Sequence, residues 1–537
     1  MKNKILTILI LLVPLWSFSQ GTYSYSFDVY GMDGTDRGYG ISVMNDGIIL
    51  TGASLCYNFS RSCISVIKTD FEGNRLWTVG LDDYPNTIKL VAKSSVIQKG
   101  DHYVFAGTVF YQNSNQFRMA LMEFDSTGQI FWKKIYEDSS NTYCTSLKKL
   151  DHGYLLYGTR SNSYGGHNIH FIKTDMEGNK VWSHTLPLFE YTEIISGGTL
   201  SNVPGPLEIL DNGNYLLVFT TSLINYGGKG KVFQILNENF EPVVTKEFLH
   251  TDMDQSVVGG AFEDVNMGRA MDGGYAMIAV TDTITPSNDP VIGIEAHMII
   301  GLDTLGEVQW TSTFPSGGIT PVLSFQVTQN GDIIVCGRTN NFYHLDENGE
   351  DQWEDAAWMA RITSTGEQVW RREYVVRENV AIDSPFELQD LVELPDGRIA
   401  AIGQLWEKFP NGGNNGNIWL LIVDENGCYT PDCNESQIWV AVEEPEDGGV
   451  QVLKQVYFKV SPNPASTKVG IHFYEALRKD AYMAVYSPFG QLMYKKKLEK
   501  GTKNNEIGVE TLPEGIYVVI LQQEGRILQQ EKVVVIK

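Results

Sequence analysis

Short apolar runs separated by polar turns recur along most of this 537-residue chain. One example is the turn Asp151-His152-Gly153, which is followed by the apolar residues 154–157 and then by Gly158. Asp-Gly and Asn-Gly provide the positive φ that tight hairpin turns require. Apolar, β-prone runs of this length are typical of buried strands. The pattern therefore predicts an all-β body of short strands joined by hairpin turns.

A second pattern recurs at fixed spacing: an Asp, a Gly three residues later, and a Trp four residues after the Gly. Complete copies begin at Asp70, Asp125, Asp175 and Asp303, and a fifth copy has Thr363 in place of Asp. A degenerate copy lies near residues 237–244 and a truncated one at residues 424–427. Three to four strands per unit at this period are typical of β-propeller blades. We predict a seven-bladed β-propeller rather than a stack of unrelated β-domains.

Two features concern how such a ring would be completed. The last unit ends near Cys428 without its Trp strand, and residues 22–30 form an orphan strand of that type. Pairing the two would remove both exposed sheet edges. The spacing Asp346-Gly349-Trp353 occurs inside the sixth unit, so an inserted hairpin and an eighth blade both remain open.

The repeated tryptophans are expected to pack between adjacent sheets, because a flat indole fills the wedge between two blades. The unit of the last one has lost its Asp, so we expect that tryptophan to contribute less than the others. The predicted packing residues are Trp77, Trp132, Trp182, Trp310 and Trp370.

The last eighty or so residues carry a different set of motifs. They contain a Ser-Pro-Asn-Pro turn, a Gly turn, a Leu-x-x-Gly-x-Tyr segment and a basic, β-branched end. This region resembles the type A C-terminal sorting domain of the type IX secretion system of Gram-negative bacteria. The resemblance implies a small antiparallel β-sandwich, recognition by the secretion machinery, and export to the medium or the outer cell surface. The carrying residues are Ser461, Pro462, Asn463, Pro464, Gly490, Leu512, Gly515, Tyr517 and Lys537.

The beginning of the chain also predicts export. Lys2 and Lys4 precede an apolar run and a few small residues, which together are typical of a secretory signal peptide. No later stretch approaches the roughly 20 apolar residues of a membrane helix, so we expect no membrane-spanning segment in the mature chain. The predicted division is a signal peptide at 1–20, the propeller at 21–435, an acidic linker at 436–455 and the sorting domain at 456–537.

The distribution of net charge along the chain limits the kinds of molecule that we expect the body to bind. The chain carries a net charge of −24, but residues 451–537 carry +5 (13 Lys and Arg against 8 Asp and Glu), which leaves −29 for the first 450 residues. Nucleic acids and anionic membranes require basic surfaces. We therefore expect neither as a partner of the body.

The chain contains six cysteines, and in an exported protein cysteines are candidates for disulfide bonds. Cys56–Cys63 and Cys428–Cys433 are candidate disulfides because each pair brackets a short loop. Cys336 lies in an apolar run and is expected to be buried, and Cys144 has no local partner. No Cys-x-x-Cys pair exists, so the spacings do not predict a zinc site.

Candidate chemistry is sparse. The repeat is similar to that of quinoprotein-like propellers, but those enzymes place one more residue between Asp and Gly and often carry adjacent cysteines, which this chain lacks. No nucleophile elbow, phosphate loop or metalloprotease motif occurs, so we name no catalytic residue. Asp346, Asn348 and Glu350 present oxygen atoms at alternate positions and form a weak Ca²⁺ candidate; no other cofactor is expected.

These observations favour a secreted or cell-surface propeller that acts as a binding or scaffold module for a protein or glycan. Aromatic and Asn side chains on the loops at 57–59, 162–167 and 341–353 are candidate contacts. A secreted hydrolase acting on polysaccharide or peptide is the alternative, because paired carboxylates are a spatial feature that a sequence does not reveal.

Overall fold

The computed structural model describes the following residues: 22–27, 36–56, 61–81, 87–89, 96–111, 114–127, 129–163, 166–186, 200–223, 229–249, 268–283, 294–314, 322–345, 351–376, 387–408, 414–430, 433–440, 458–473, 477, 480–487, 492–523 and 526–537. Every regular element within these ranges is a β-strand. None of the described residues forms a helix long and apolar enough to cross a membrane. The predicted signal peptide lies outside the described residues.

The described residues of the body form seven sheets whose strands are antiparallel apart from one added edge strand, and we number them as blades in chain order. Blade 1 contains β2 (Arg37–Met44), β3 (Gly47–Cys56), β4 (Arg61–Thr69) and β5 (Arg75–Leu81). Blade 2 contains β6 (Thr87–Lys89), β7 (Val96–Lys99), β8 (His102–Tyr111), β9 (Gln116–Asp125) and β10 (Ile130–Ile135). Blade 3 contains β11 (Thr142–Leu150), β12 (Gly153–Ser161), β13 (His167–Thr174) and β14 (Lys180–Thr185). Blade 4 contains β15 (Leu200–Pro204), β16 (Glu208–Ile209), β17 (Tyr215–Leu223), β18 (Lys229–Leu236) and β19 (Pro242–Leu249).

The remaining blades continue the pattern. Blade 5 contains β20 (Gly268–Met271), β21 (Gly274–Thr283), β22 (Ile294–Asp303) and β23 (Val308–Thr313). Blade 6 contains β24 (Val322–Val327), β25 (Ile333–Leu345), β26 (Asp351–Ile362) and β27 (Gln368–Val376). Blade 7 contains β28 (Glu387–Glu393), β29 (Ile399–Lys408) and β30 (Asn414–Val423), and its outermost strand is the N-terminal β1 (Tyr23–Phe27). β1 pairs antiparallel with β30, from Tyr23 opposite Ile422 to Phe27 opposite Ile418.

The apolar core is divided among the interfaces between blades. Each central strand buries both of its faces, as β12 does over residues 153–159, because a blade is packed against a neighbour on each side. Successive clusters join blades 1 and 2, 2 and 3, and so on to 6 and 7. A seventh cluster joins blade 7 to blade 1 through Tyr25, Phe27 and Ile418. The predicted all-β, seven-bladed β-propeller is therefore confirmed.

The inserted spacing in the sixth unit does not start another blade. Trp353 lies on β26 and is paired with Tyr343 of β25, so the two long strands of blade 6 extend as a hairpin beyond the sheet's other strands. Residues 346–350, between these strands, are outside the described residues.

The predicted start of the linker needs correction. β31 (Gln437–Val440) pairs parallel with β27, from Glu373 opposite Gln437 to Val376 opposite Val440. Ile438 and Val440 are buried in the cluster between blades 6 and 7. The apolar residues after the Cys428–Cys433 loop thus cover the edge of blade 6, so residues 437–440 are part of the propeller and not of the linker predicted at 436–455.

The C-terminal region forms a small sandwich of two sheets, as predicted. One sheet contains β32 (Phe458–Ser461), β33 (Lys468–Phe473) and β36 (Asn504–Gly508). The other contains β34 (Ala481–Tyr486), β35 (Leu492–Leu498), β37 (Gly515–Gln523) and β38 (Arg526–Val535). A single core that includes Ile471, Met483 and Leu521 fills the space between them.

Candidate functional site

The connections between strands divide the propeller into two faces. In each antiparallel blade the first and third connections lie at one end, and the second connection and the link to the next blade lie at the other. We call the first end the turn face; its connections are short, as at residues 45–46 and 70–74. We call the second the loop face; its connections include the long ones, such as 186–199 and 250–267.

The repeated Asp builds turns on the turn face. Asp175 accepts the backbone N–H groups of Glu177 at 3.0 Å and Asn179 at 2.7 Å through Oδ1, and the Asn179 side chain through Oδ2. The side-chain hydrogen bond from Asn179 is the main reason that the pKa of Asp175 lies below its usual range. Asn237 and Thr363 accept the equivalent backbone bonds in their own units. The repeated carboxylate is therefore occupied by its own turn.

The repeated Gly and Trp meet across blade boundaries. Gly178 of blade 3 has a φ of +75°, and a Cβ there would lie 2.5 Å from the Trp132 ring of blade 2. Trp310 of blade 5 lies against Gly366 of blade 6 in the same way, as does Trp370 of blade 6 against Gly427 of blade 7. At the closing boundary the place of the tryptophan is taken by Tyr25 of β1, which lies against Gly73 of blade 1. We call this arrangement the ring-on-glycine contact.

Two tyrosines add a hydrogen bond to this contact. Tyr136 and Tyr374, each four residues after the tryptophan of its strand, donate their hydroxyl groups to the carbonyls of Gly178 and Gly427 at 2.9 and 2.8 Å. Burial raises the pKa of both hydroxyls, which remain donors at neutral pH. One glycine therefore receives both the indole and the hydroxyl of the preceding blade.

Blade 4 departs from the pattern. Phe240 occupies the position of the glycine with a φ of +64°, and Trp182 meets its ring edge-to-face at a centroid distance of 5.2 Å. On the following boundary, Val244 and Lys246 of blade 4 take the place of the tryptophan against Gly306. Trp77 meets Tyr103 of blade 2 edge-to-face at 5.1 Å. All five predicted tryptophans thus contact the next blade, and their contribution to stability stays a prediction.

The loop face carries a polar cluster near the axis, where the innermost strands of blades 1, 6 and 7 begin. We call Arg37, Arg338, Glu387 and Gln404 the axial cluster. Glu387 is largely buried and lies between the two guanidinium groups, with Arg338 Nη1 at 3.5 Å and Arg37 Nε at 3.9 Å. Gln404, directly opposite Glu387 in the sheet, accepts a hydrogen bond from Arg37 Nε at 2.8 Å through Oε1.

Buried donors without acceptors accompany this cluster. Arg338 Nε, Gln404 Nε2 and the indole Nε1 of Trp406 have no hydrogen-bond partner among the described residues. Trp406 lies two positions after Gln404 on the same side of β29, closer to the loop face. Buried polar atoms in proteins are nearly always paired, so three such donors in one region are unusual.

A second polar group lines the innermost strands of blades 3, 4 and 5. Glu208 accepts the backbone N–H of Ala270 at 3.2 Å, and its carboxylate is 4.0 Å from Arg269 Nη1. Burial, with a smaller contribution from Arg269, lowers the pKa of Lys148 to about 8. Burial also raises the pKa of Glu208. These innermost strands therefore carry both acidic and basic side chains.

The remaining predicted sites have mixed outcomes. The predicted Cys428–Cys433 disulfide is present, whereas the side chains of Cys56 and Cys63 lie outside the described residues. Cys144 and Cys336 are buried thiols. The described residues contain no group of three His, Cys, Asp or Glu side chains suited to a metal ion. The weak Ca²⁺ candidates Asp346, Asn348 and Glu350 lie outside the described residues.

In the C-terminal sandwich, the Ser461-Pro462-Asn463-Pro464 turn is attached to the last strand. Asn463 Oδ1 accepts the N–H of Val534, and Asn463 Nδ2 donates to the carbonyl of Lys532, both at 2.8 Å. Tyr517 donates its hydroxyl to the carbonyl of Pro513 at 2.9 Å. Leu512 is buried, Gly515 begins β37, and the backbone N–H of Lys537 bonds Glu514. Gly490 lies outside the described residues.

The axial cluster was missed by sequence reasoning because its members are hundreds of residues apart. One signal was present. In several units the glycine that ends an apolar run is followed by a small residue, as in Gly52-Ala53 and Gly158-Thr159, whereas the sixth and seventh units have Arg338 and Gln404 at this position. A break in a repeat is a signal of local function that composition does not reveal.

Comparison with known proteins identifies the C-terminal region. Residues 459–537 match the family described as Secretion system C-terminal sorting domain. The predicted resemblance is confirmed, and the tail marks the chain for export by the type IX secretion system to the medium or cell surface. Comparison with curated proteins finds no match.

Among solved structures, the subtype N11 neuraminidase-like protein of A/flat-faced bat/Peru/033/2010 (H18N11) is similar with a TM-score of 0.34 and 10% identity, covering 77% of this chain and 96% of that one. Puromycin hydrolase has a TM-score of 0.33 and 13% identity, covering 80% and 59%. The β-propeller domain of the Trilobed protease from Pyrococcus furiosus has a TM-score of 0.29 and 10% identity, covering 65% and 95%. With TM-scores this low, none of the three supports an inference about activity.

Proposed function

We propose that this protein is an exported binding module whose loop face holds a protein or glycan ligand. The observation that carries the proposal is the difference between the two faces. The turn face repeats one construction in which Asp, Gly and Trp are used for turns and packing. The loop face has connections of different lengths and the polar axial cluster. Binding residues on rigid β-scaffolds commonly lie on such variable connections.

Export places this face outside the cell. The sorting tail directs passage across the outer membrane, and we propose that residues 1–20 act as the signal peptide for the inner membrane. In this scheme the tail serves only as a sorting signal, and the propeller is the part of the protein that acts after export. A chain lacking residues 457–537 should fold but accumulate in the periplasm; its recovery outside the cell in normal amounts would contradict the scheme.

The test of binding begins with the purified full chain on glycan and surface-protein arrays. Hydrogen exchange is then measured with and without the ligand found. We expect protection in the loop-face segments and unchanged exchange in the turns at 70–74, 175–179 and 363–367. Protection confined to the turn face would refute the proposal. Release of cleaved sugar or peptide during the incubation would instead establish the hydrolase alternative.

A further inference from the structure

We propose that the axial cluster and Trp406 bind the carboxylate and neighbouring oxygen atoms of an acidic sugar, a hexuronate. This inference rests on the proposed binding function and names the ligand chemistry at one site on the loop face. It is carried by incomplete ion pairing, by unpartnered donors, and by the position of the cluster at the end of the axis.

The first argument is the long N–O distance in the ion pair between Arg338 and Glu387. Two turn-face ion pairs of the propeller, Arg361 with Asp332 and Arg398 with Asp396, have N–O distances of 2.8 Å, the usual length of a charge-assisted hydrogen bond. The contact of Arg338 with Glu387 is longer, at 3.5 Å. The Arg338 side chain also remains 27% exposed. The Arg338 guanidinium is therefore available to an anion from the loop face.

The second argument is the balance of donors and acceptors. Gln404 is fully buried, and its Nε2 has no acceptor among the described residues. The same holds for Arg338 Nε and Trp406 Nε1. By contrast, the indole N–H groups of Trp358 and Trp419 donate to the Arg338 carbonyl and to Ser24 Oγ at 2.9 and 3.0 Å. A buried donor without an acceptor is unfavourable because it has lost its hydrogen bonds to water. A ligand rich in acceptors would therefore supply hydrogen bonds that the unliganded protein lacks.

A hexuronate fits this arrangement for chemical reasons. Its planar carboxylate matches the fork of a guanidinium group, and its ring and hydroxyl oxygens supply further acceptors for Gln404 and Trp406. Tyr39, with the Arg37 guanidinium carbon 6.0 Å from its ring centroid, adds an amphipathic aromatic at the edge of the cluster. A neutral sugar has no carboxylate to place against the exposed part of the Arg338 guanidinium.

The experiment measures binding of D-glucuronate to the full chain by titration calorimetry, with D-glucose and acetate as comparison probes. We expect glucuronate to bind and glucose to bind at least about tenfold more weakly, because glucose lacks the charge-assisted hydrogen bond. Acetate should also bind at least about tenfold more weakly, because it lacks the ring and hydroxyl oxygens that accept from Gln404 and Trp406. Equal binding of acetate would overturn the sugar assignment, and equal binding of glucose would overturn the carboxylate assignment.

Two variants locate the site. Gln404→Glu keeps the side-chain shape and the acceptor for Arg37, but replaces the unpartnered donor by an acceptor and a negative charge. We expect it to weaken glucuronate binding at least about tenfold, and Arg338→Gln to do the same. Arg361→Gln, which removes one charge from the turn face, is the matched control and should bind within about twofold of the parent.

Each outcome has a distinct meaning. Weakening by Gln404→Glu and Arg338→Gln but not by Arg361→Gln supports the site, provided that thermal unfolding shows folded variants. Unchanged binding in Gln404→Glu overturns it even if Arg338→Gln does not fold. If glucuronate does not bind but another ligand protects the loop face from hydrogen exchange, the inference fails and the proposed function stands.

Discussion

The two faces of the propeller use polar residues in opposite ways. On the turn face, Asp175 directs both carboxylate oxygens into its own turn, and the adjacent Gly178 receives a ring and a hydroxyl from the previous blade. On the loop face, Arg338 and Gln404 keep buried donors that have no acceptor in the described part of the chain. Completed hydrogen bonding favours a stable ring, and incomplete hydrogen bonding favours a site for a ligand. The largest effects on stability are therefore expected from the closure of the ring and from the turn face.

Removal of β1 should have the largest effect. Deleting residues 22–27 exposes the edge of β30 and removes Phe27, which is completely buried, and Tyr25, which lies against Gly73. We expect the whole propeller to lose cooperative unfolding, because the ring would be open between blades 7 and 1. Thermal unfolding followed by circular dichroism measures this; a transition unchanged from that of the parent would contradict closure by the N-terminal strand.

Removing a ring-on-glycine contact should cause the next largest loss of stability. Trp370→Ala removes an indole that is 7% exposed and should lower the free energy of unfolding by about 3–5 kcal/mol. Its burial and its contact with Gly427 are the reasons to expect an effect of this size, although its unit has lost the Asp. The measurement is urea unfolding. A loss below about 0.5 kcal/mol, as at an exposed position, would require the tryptophans to be reconsidered as a binding surface.

Acid should destabilise blade 3 through His170. Burial lowers the pKa of this histidine from 6.5 in an unfolded chain to about 4, so the unfolded state binds more protons between these values. The corresponding stability is present above pH 6.5 and is lost as the pH falls to about 4, by about 3 kcal/mol.

The control for this acid effect is His170→Gln. It should be less stable than the parent at pH 7 and should lose less stability between pH 6.5 and pH 4, as urea unfolding at the two pH values would show. An equal pH dependence in both proteins would mean that other groups cause the acid effect.

A pair of glycine substitutions gives the smallest and sharpest difference. Gly178 and Gly213 have φ values of +75° and +83°. An added Cβ would meet the Trp132 ring at Gly178, whereas at Gly213 no atom of the described residues lies within 4 Å of it. Gly213→Ala should cost about 1–2 kcal/mol through backbone strain alone. Gly178→Ala should cost at least about 1 kcal/mol more. Equal unfolding free energies would show that the ring is not held by this contact.

How far the sequence predicted the molecule depended on repetition. The blades could be predicted because Asp-Gly turns and apolar runs recur, and the sorting tail because its motifs occur in order. The sequence did not reveal that Tyr25 would replace a tryptophan at the closing boundary, or that Phe240 would adopt the conformation of a glycine. The axial cluster was equally hidden, because Arg37 and Glu387 become neighbours only when the ring is complete.

The strand β31 also has a mechanical consequence. The chain leaves blade 7 through a loop closed by Cys428–Cys433 and then runs along β27 of blade 6. A load applied to the sorting tail during translocation would therefore reach β31 first, and the disulfide would limit how far the loop behind it can extend. We therefore expect a pull on the tail to separate β31 from β27 before it acts on β30 of blade 7.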